Sequence, residues 1–325
     1  MPFSPSYNTT NPGAAVSNRE DLTDILKVLA PEDTPIYSSL PHSKAKGTYH
    51  EWTMDTLASP STDGVIEGSD VDSFADKFAN RVRVGNYVQK LRRSYMVSDI
   101  QEAVDSVGPA KYAQAEKKAG LELKRDIEAT LLSTNDRVAG DSNTASKLRG
   151  LGDWIDSAGP SDVSADYRTP ADSIHASGSF TETVLNSLIT SIYRQSGKSQ
   201  SLNLHADTAL RAVISGFART SGATDAVYRQ VMQSAGKKLT NTVGMYESDN
   251  GIVTITNMNP VCAPDTTNKD TGYLLNMEFL GVADLIPMGT KGLQDLGGGK
   301  RGFVDWTGTL VVKHPGALGK ITVLS

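Results

Sequence analysis

The stretch from Thr34 to Asp99 constrains this chain more than any other. Two runs with strand character, Thr48–Leu57 and Val82–Val97, flank a long polar, glycine-dotted segment. That pattern predicts an extended hairpin with a distant tip. Its apolar content is thin: Trp52, Met54 and Leu57 on one arm, and Val82, Val84, Tyr87, Val88 and Leu91 on the other. A lone two-stranded ribbon is marginal in water, so this one needs another surface to lie on. Trp52 in particular is expected to pack on a neighbouring copy or at the base of the long helix that follows the hairpin. The tip gathers Asp63, Glu67, Asp70, Asp72 and Asp76, and the second arm carries Arg81, Arg83, Lys90, Arg92 and Arg93. The basic arm reads either as a solvated strand face or as a surface that docks on acid from another copy.

After the hairpin, Gly108-Pro109 opens a helix that should run to about Ser133, since proline suits a first helical turn. Tyr112, Ala119, Leu123, Ile127 and Leu131 fall on one face, with Lys111, Lys118, Glu122 and Arg125 on the other. About 25 residues make a rod of roughly 37 Å, long enough to be a structural spine. Upstream, 1–17 reads as an arm, followed by a short helix over Arg19–Leu29 that Pro31 and Pro35 end. Leu148–Ile155 is an apolar knot among glycines. From Phe180 the texture becomes α/β. Helices are expected over Thr181–Gln195 and Asp207–Phe217. Strands are expected at Ser201–His205, Val243–Glu247, Ile252–Thr256, Tyr273–Met277 and Ala283–Met288, with closing strands at Gly302–His314 and Lys320–Leu324.

Catalytic chemistry finds no foothold in this pattern. His42, His50, His175, His205 and His314 do not stand at metal-ligand spacing from one another or from Cys262. Gly197-Lys198-Ser199 lacks the upstream glycine and the preceding strand of a phosphate-binding loop, and reads as a helix-ending turn. Gly297-Gly298-Gly299-Lys300-Arg301 reads as a mobile loop. Asp126 and Glu128, two apart on a helix, point to different faces and cannot pair as acid and base. No catalytic residue, cofactor site or metal site is expected. A net charge of −5 argues against a dedicated nucleic-acid binder. One cysteine excludes an intrachain disulfide framework. No signal peptide and no membrane span is read, so synthesis in the cytosol and no membrane partner are expected.

Several words in this order resemble the major capsid proteins of tailed phages with the Hong Kong 97-type fold. They are Asp33-Thr34-Pro35, Tyr49-His50-Glu51-Trp52 through Asp55-Thr56-Leu57, Leu123-Lys124-Arg125-Asp126-Ile127-Glu128, and Gly150-Leu151 before Trp154-Ile155. Within that group they look like one branch, a major head protein family. The resemblance implies an α+β capsid fold with an N-terminal arm (1–46), an E-loop hairpin (47–98), and a peripheral domain around the spine helix (99–175). An α/β axial domain (176–305) and closing strands of the peripheral domain (306–325) would follow. It implies a non-enzymatic virion protein, made in the host cytoplasm, that assembles with itself as hexamers and pentamers. The icosahedral shell would enclose packaged double-stranded DNA with weak contact. A separate scaffolding protein, a portal and room for a decoration protein go with it. The intersubunit contact candidates are Trp52, Asp63, Glu67, Asp70, Arg81, Arg83, Arg92 and Arg93. The rival readings are an encapsulin-like nanocompartment shell and an α/β enzyme with a site that leaves no motif.

Overall fold

Among the described residues the spine helix organises the largest of three hydrophobic cores. A computed structural model describes residues 33–103, 111–197, 200–217, 243–264 and 271–322. The expected helix at 19–29 lies outside them. Helix α3 (Lys111–Leu132) buries Ala119, Leu123, Ile127, Leu131 and Leu132, the stripe that its 3.6-residue period predicts. It packs on a four-stranded sheet ordered β1 (His42–Lys44), β10 (Leu280–Leu293), β11 (Lys300–Val312), β4 (Gln89–Val97). Strand β11 is buried on both faces over most of its length. Val304, Trp306, Leu310 and Val312 belong to the core that α3 covers.

Pro35 opens a helix. Helix α1 (Pro35–Ser39) takes the proline in its first turn, where the missing N–H is no loss. Its free N–H groups find an acceptor far away in sequence. The Glu128 carboxylate of α3 accepts from the N–H of Ile36 at 3.0 Å and of Tyr37 at 2.7 Å. Glu128 is fully buried, and burial pushes its carboxyl above the usual range while the two N–H bonds pull it back. Asp126, two residues earlier, faces elsewhere and holds Arg93. Both acids are therefore structural.

The hairpin forms in part as expected. Strand β2 (Tyr49–Met54) pairs antiparallel with β3 (Val82–Tyr87), from Tyr49 opposite Tyr87 to Met54 opposite Val82. The second arm then departs from expectation. At Val88 the chain leaves the ribbon, and 89–97 becomes β4, paired with β11. The sequence shows continuous strand character across this break, because strands in either sheet look alike. The glycine run 297–299 lies in the turn between β10 and β11, with Gly297 and Gly298 exposed and Gly299 buried. Gly299 sits at φ +114°, and a Cβ there would lie 2.2 Å from the Val97 carbonyl oxygen.

The second core lies in a six-stranded sheet. Its order is β5 (Ile174–His175), β12 (Gly319–Thr322), β9 (Thr271–Leu275), β6 (Gln200–Ala206), β8 (Gly251–Asn257), β7 (Met245–Ser248). Helices α5 (Glu182–Ser196) and α6 (Thr208–Phe217) contribute Leu185, Ile189, Ile192, Leu210 and Ile214 to it. Thr181 caps α5 by accepting from the Val184 N–H, and Gly197 ends it at φ +66°. The expected unit boundaries at 176, 305 and 306 are crossed by strand pairing. Strand β10 joins the spine-helix sheet, and β12 joins the α/β sheet. Hydrogen-bond ladders therefore overrule the linear division.

His205, on central strand β6, is 2% exposed, and neither ring nitrogen has a hydrogen-bond partner. Burial alone pushes its pKa down to about 4. The neutral ring is favoured in the fold, so stability is complete above the unfolded pKa of about 6.5 and is lost as pH falls toward 4. The loss should reach roughly 3 kcal/mol at the acid end. Urea denaturation at stepped pH should show this component in the wild type and not in His205→Leu. Identical pH profiles for the two would contradict it.

Candidate assembly interface

The root of the hairpin is built into its own subunit. Buried Asn86 accepts from the Arg149 backbone N–H at 2.8 Å and donates to the carbonyls of Arg149 and Leu310, each at 3.1 Å. The Arg137 guanidinium donates to the Tyr49 hydroxyl and to the Gly85 carbonyl. Trp52 lies 5.8 Å from the Trp154 ring, centroid to centroid, half-buried against the main core. Within the chain Trp52 packs on the core that holds the end of the spine helix, one of its two expected places. It packs inside its own chain, because the crossover after α3 brings Trp154 under the ribbon. Trp52→Ala should therefore lower the stability of the unassembled chain by about 3 kcal/mol, the low end for a large aromatic. A urea midpoint unchanged from wild type would contradict that.

The crossover owes its path to Gly150 and Arg149. A Cβ on Gly150 would lie 2.1 Å from the Ser133 carbonyl oxygen, so only glycine lets the chain pass so near the end of α3. Arg149 is 1% exposed. It reaches Asp136 and Asp162 at 2.6 Å each and Asp153 at 2.9 Å, with its guanidinium over the Trp154 ring. Burial works to raise Asp162, but the Arg149 bond and charge outweigh it and hold that carboxyl low. At Asp153 burial wins and the carboxyl is raised.

Beyond Met54 and Val82 the picture reverses. Every residue from 55 to 81 is exposed. Exposed there are Leu57 (98%), Val65, Ile66, Val71, Phe74 (89%) and Phe78. The tip is thus less polar than its composition suggests. Single apolar residues on a surface mean little; six on one loop make this segment the candidate for an interaction surface. Asp63, Glu67 and Asp70 lie among them, all exposed. Residues 58–76 hold five acids and no base.

The basic residues divide into two kinds. Arg81 pairs with Asp55 at 3.1 Å, Arg83 with Glu51 at 3.9 Å, and Arg93 with Asp126 through two bonds of 2.5 and 2.7 Å. Each is matched one to one within the chain. Arg92 and Arg93 point to opposite faces of β4, as strand alternation requires. Arg93 faces α3. Arg92 stands opposite Asp305 on the other face, and Lys90 stands two residues before it. Asp305 is 1% exposed, with Arg92 at 3.6 Å, Lys90 at 3.5 Å and Lys291 of β10 at 3.8 Å. The Arg92 guanidinium lies 4.1 Å from the Phe303 ring centroid, and Lys291 lies over the same ring. Three half-exposed cations thus share one buried carboxylate. Sequence reading missed Lys291 and Asp305, which meet Arg92 only through strand pairing. The alternation of Phe303, Asp305, Thr307 and Thr309 with Val304, Trp306 and Leu310 is the signal that marks this face.

Among the described residues no group of acids, histidines or cysteines is arranged to hold a metal, and no helix is long and apolar enough to cross a membrane. Cys262 is buried, and burial raises its thiol to about 11, away from reactivity.

A family model described as SU10 major capsid protein matches residues 6–325. No curated protein matches the chain. Among solved structures it is similar to the capsid of Cyanophage P-SCSP1u, with TM-score 0.60, 13% identity and 100% of both chains covered. It is similar to a chain of Mycobacterium phage Adephagia, with TM-score 0.60 and 11% identity over 96% of this chain and 97% of that one. The holo-SrpI encapsulin complex from Synechococcus elongatus PCC 7942 follows, with TM-score 0.55 and 12% identity over 94% and 92%. At these identities the structures show a shared fold.

Proposed function

The chain belongs to the SU10 major capsid protein family, and we propose that copies of it are joined through the distal hairpin, residues 55–81. Family and fold make it a structural subunit of a phage capsid, Hong Kong 97-type, and not an enzyme. It works by associating with further copies of itself in the virion shell. The observation that carries the hairpin reading is the contrast along the ribbon: a root stitched into its own core, and a tip whose apolar side chains are left in water.

The finer reading keeps the expected parts with their strand pairing amended. Residues 1–46 serve as an N-terminal arm. The E-loop, expected over 47–98, works as the ribbon and tip before β4. The spine-helix unit with β4, β10 and β11 is peripheral, and the α/β sheet is axial. Copies gather as hexamers and pentamers around double-stranded DNA that the shell encloses with weak contact. A separate scaffolding protein, a portal and a decoration protein are the partners such a shell takes, and synthesis is in the host cytoplasm. Trp52, Arg81, Arg83 and Arg93 act within the subunit, while Asp63, Glu67, Asp70 and Arg92 remain contact residues between copies. The encapsulin reading has the fold in its favour and lacks the family match. Sedimentation of the purified full chain tests the reading: particles of many copies support it, and a monomer at every concentration and salt overturns it.

A further inference from the structure

Residues 33–40 are held from three sides. The Asn259 side-chain amide, in the turn after β8, donates to the Asp33 carbonyl at 2.7 Å. The Glu128 carboxylate, on α3, accepts from the N–H groups of Ile36 and Tyr37. Ile36 and Leu40 are buried in the largest core, and the Tyr37 ring meets the Trp306 ring of β11 edge-on, 6.4 Å between centroids. The apolar contacts explain why α1 lies on the core. They do not explain why an acid holds it. Glu128 is fully buried and makes no ion pair among the described residues, so the two N–H bonds are all that offset its burial. Burying a carboxylate costs stability that an apolar side chain in the same place would not.

What the acid adds is direction. Two oxygens on two successive N–H groups fix the first turn of α1 in position and in rotation. Apolar contacts alone allow a five-residue helix to slide or turn. Downstream of α1 that precision is not needed. Strand β1 is set by its own register with β10, His42 opposite Val282, and the ribbon root is set by Asn86 and Arg137. Upstream it is needed. Residues 1–32 join the subunit at Asp33, and the described residues that fix the chain there by hydrogen bonds are Glu128 and Asn259. A cleft lined by Thr34, Ser38, Thr208, Thr256 and Met258 opens beside that point, so packing among the described residues does not steer the chain on that side.

We propose that Glu128, with Asn259, is a positioning residue for assembly: through α1 it sets the point and direction from which residues 1–32 leave the subunit toward another copy. This rests on the reading of residues 1–46 as an arm, and it names the residues that aim it. Glu128 itself touches no other copy in this account. Its cost to the single subunit is offset only in the assembled state, where every copy repeats the same arm contact.

The test compares particle yield of the full chain, by sedimentation, with the urea midpoint of the unassembled chain. Glu128→Gln keeps the shape of the side chain but turns an amide N–H2 toward one of the two N–H donors, so one bond of the pair is lost. Ile36→Val thins the core contact of the same helix and leaves the pair intact. Glu128→Gln should lower the midpoint no more than Ile36→Val does, yet lower yield by about tenfold or more, since one misdirected contact recurs in every copy. Ile36→Val should keep its yield within about twofold of wild type. Asn259→Ala, which frees Asp33, should show the same split as Glu128→Gln. A third chain lacks residues 1–32. There the glutamine should cause no further loss, because nothing is left to aim. Normal yield from Glu128→Gln overturns the proposal, as does a yield that follows the midpoint alike in all three substitutions. A Glu128→Gln chain that does not fold makes the acid structural and overturns it too. If the chain without residues 1–32 assembles as wild type does, the arm reading fails first; if that deletion lowers yield and Glu128→Gln does not, only this proposal falls. The split between Glu128→Gln and Ile36→Val decides even where the deletion leaves no particles.

Discussion

Replacing Arg149 with leucine is expected to remove about 3–5 kcal/mol of folding stability, the scale seen when one partner of a buried ion cluster is deleted. The guanidinium is 1% exposed and meets three carboxylates, Asp136, Asp153 and Asp162. Without it these acids repel one another beside the apolar core, and Asp153, already raised by burial, has no cation on that side. The Trp154 ring also loses its cover, and the Trp52 contact rests on that ring. A domain is stable by only about 5–15 kcal/mol in all, so the variant should be near its folding limit at physiological temperature. Arg149→Lys keeps the charge but cannot reach three acids at once, and should fall between. Urea denaturation of the unassembled chain reads both. A leucine variant within about 0.5 kcal/mol of wild type would mean that the acids are solvated enough to need no partner.

The second large effect is on assembly. Replacing Ser59–Ser73 with a short Gly/Ser linker should leave all three cores intact and abolish particle formation. All of these residues are exposed and none belongs to a core cluster. The ribbon root is held by Asn86 and Arg137, which the linker does not touch. Circular dichroism and the urea midpoint should therefore match wild type. The linker removes Val65, Ile66, Val71 and four of the five tip acids, and with them the surface that has no use inside one subunit. Normal particles from the shortened chain would mean that copies associate elsewhere.

Some of this was legible in the residues. The spine helix was, because its apolar stripe repeats over six turns and nothing but a helix satisfies that period. So was the α5 helix, whose Thr181 and Gly197 punctuate both ends. The ribbon pairing was legible as alternation, but its end was not. Val88 leaves one ladder and enters another with no change in residue type, so Arg92 and Arg93 look like neighbours on one arm when they face opposite ways. Pro35 reads as a helix breaker or a helix opener with equal ease; the choice was made by Glu128, about ninety residues on. Strand β1 is three exposed residues and carries no periodic signal. At the candidate interface the acids were visible in sequence, since charge is local. The basic cluster was not, because Lys90, Lys291 and Asp305 come together only through β4, β10 and β11. The apolar residues of the tip were present in the sequence but scattered among Asp, Ser and Gly, where composition hides them. Arg149 gave no sign at all, for its three acids lie on different segments of the crossover.

Electron microscopy of the full chain after assembly tests the hairpin reading most directly. The expected result is a closed shell of repeated copies in which residues 55–81 of each subunit lie against another subunit, with Leu57, Val65, Ile66, Phe74 and Phe78 covered. A shell whose hairpin tips stand free in solvent would contradict it, since the copies would then be held together by something else.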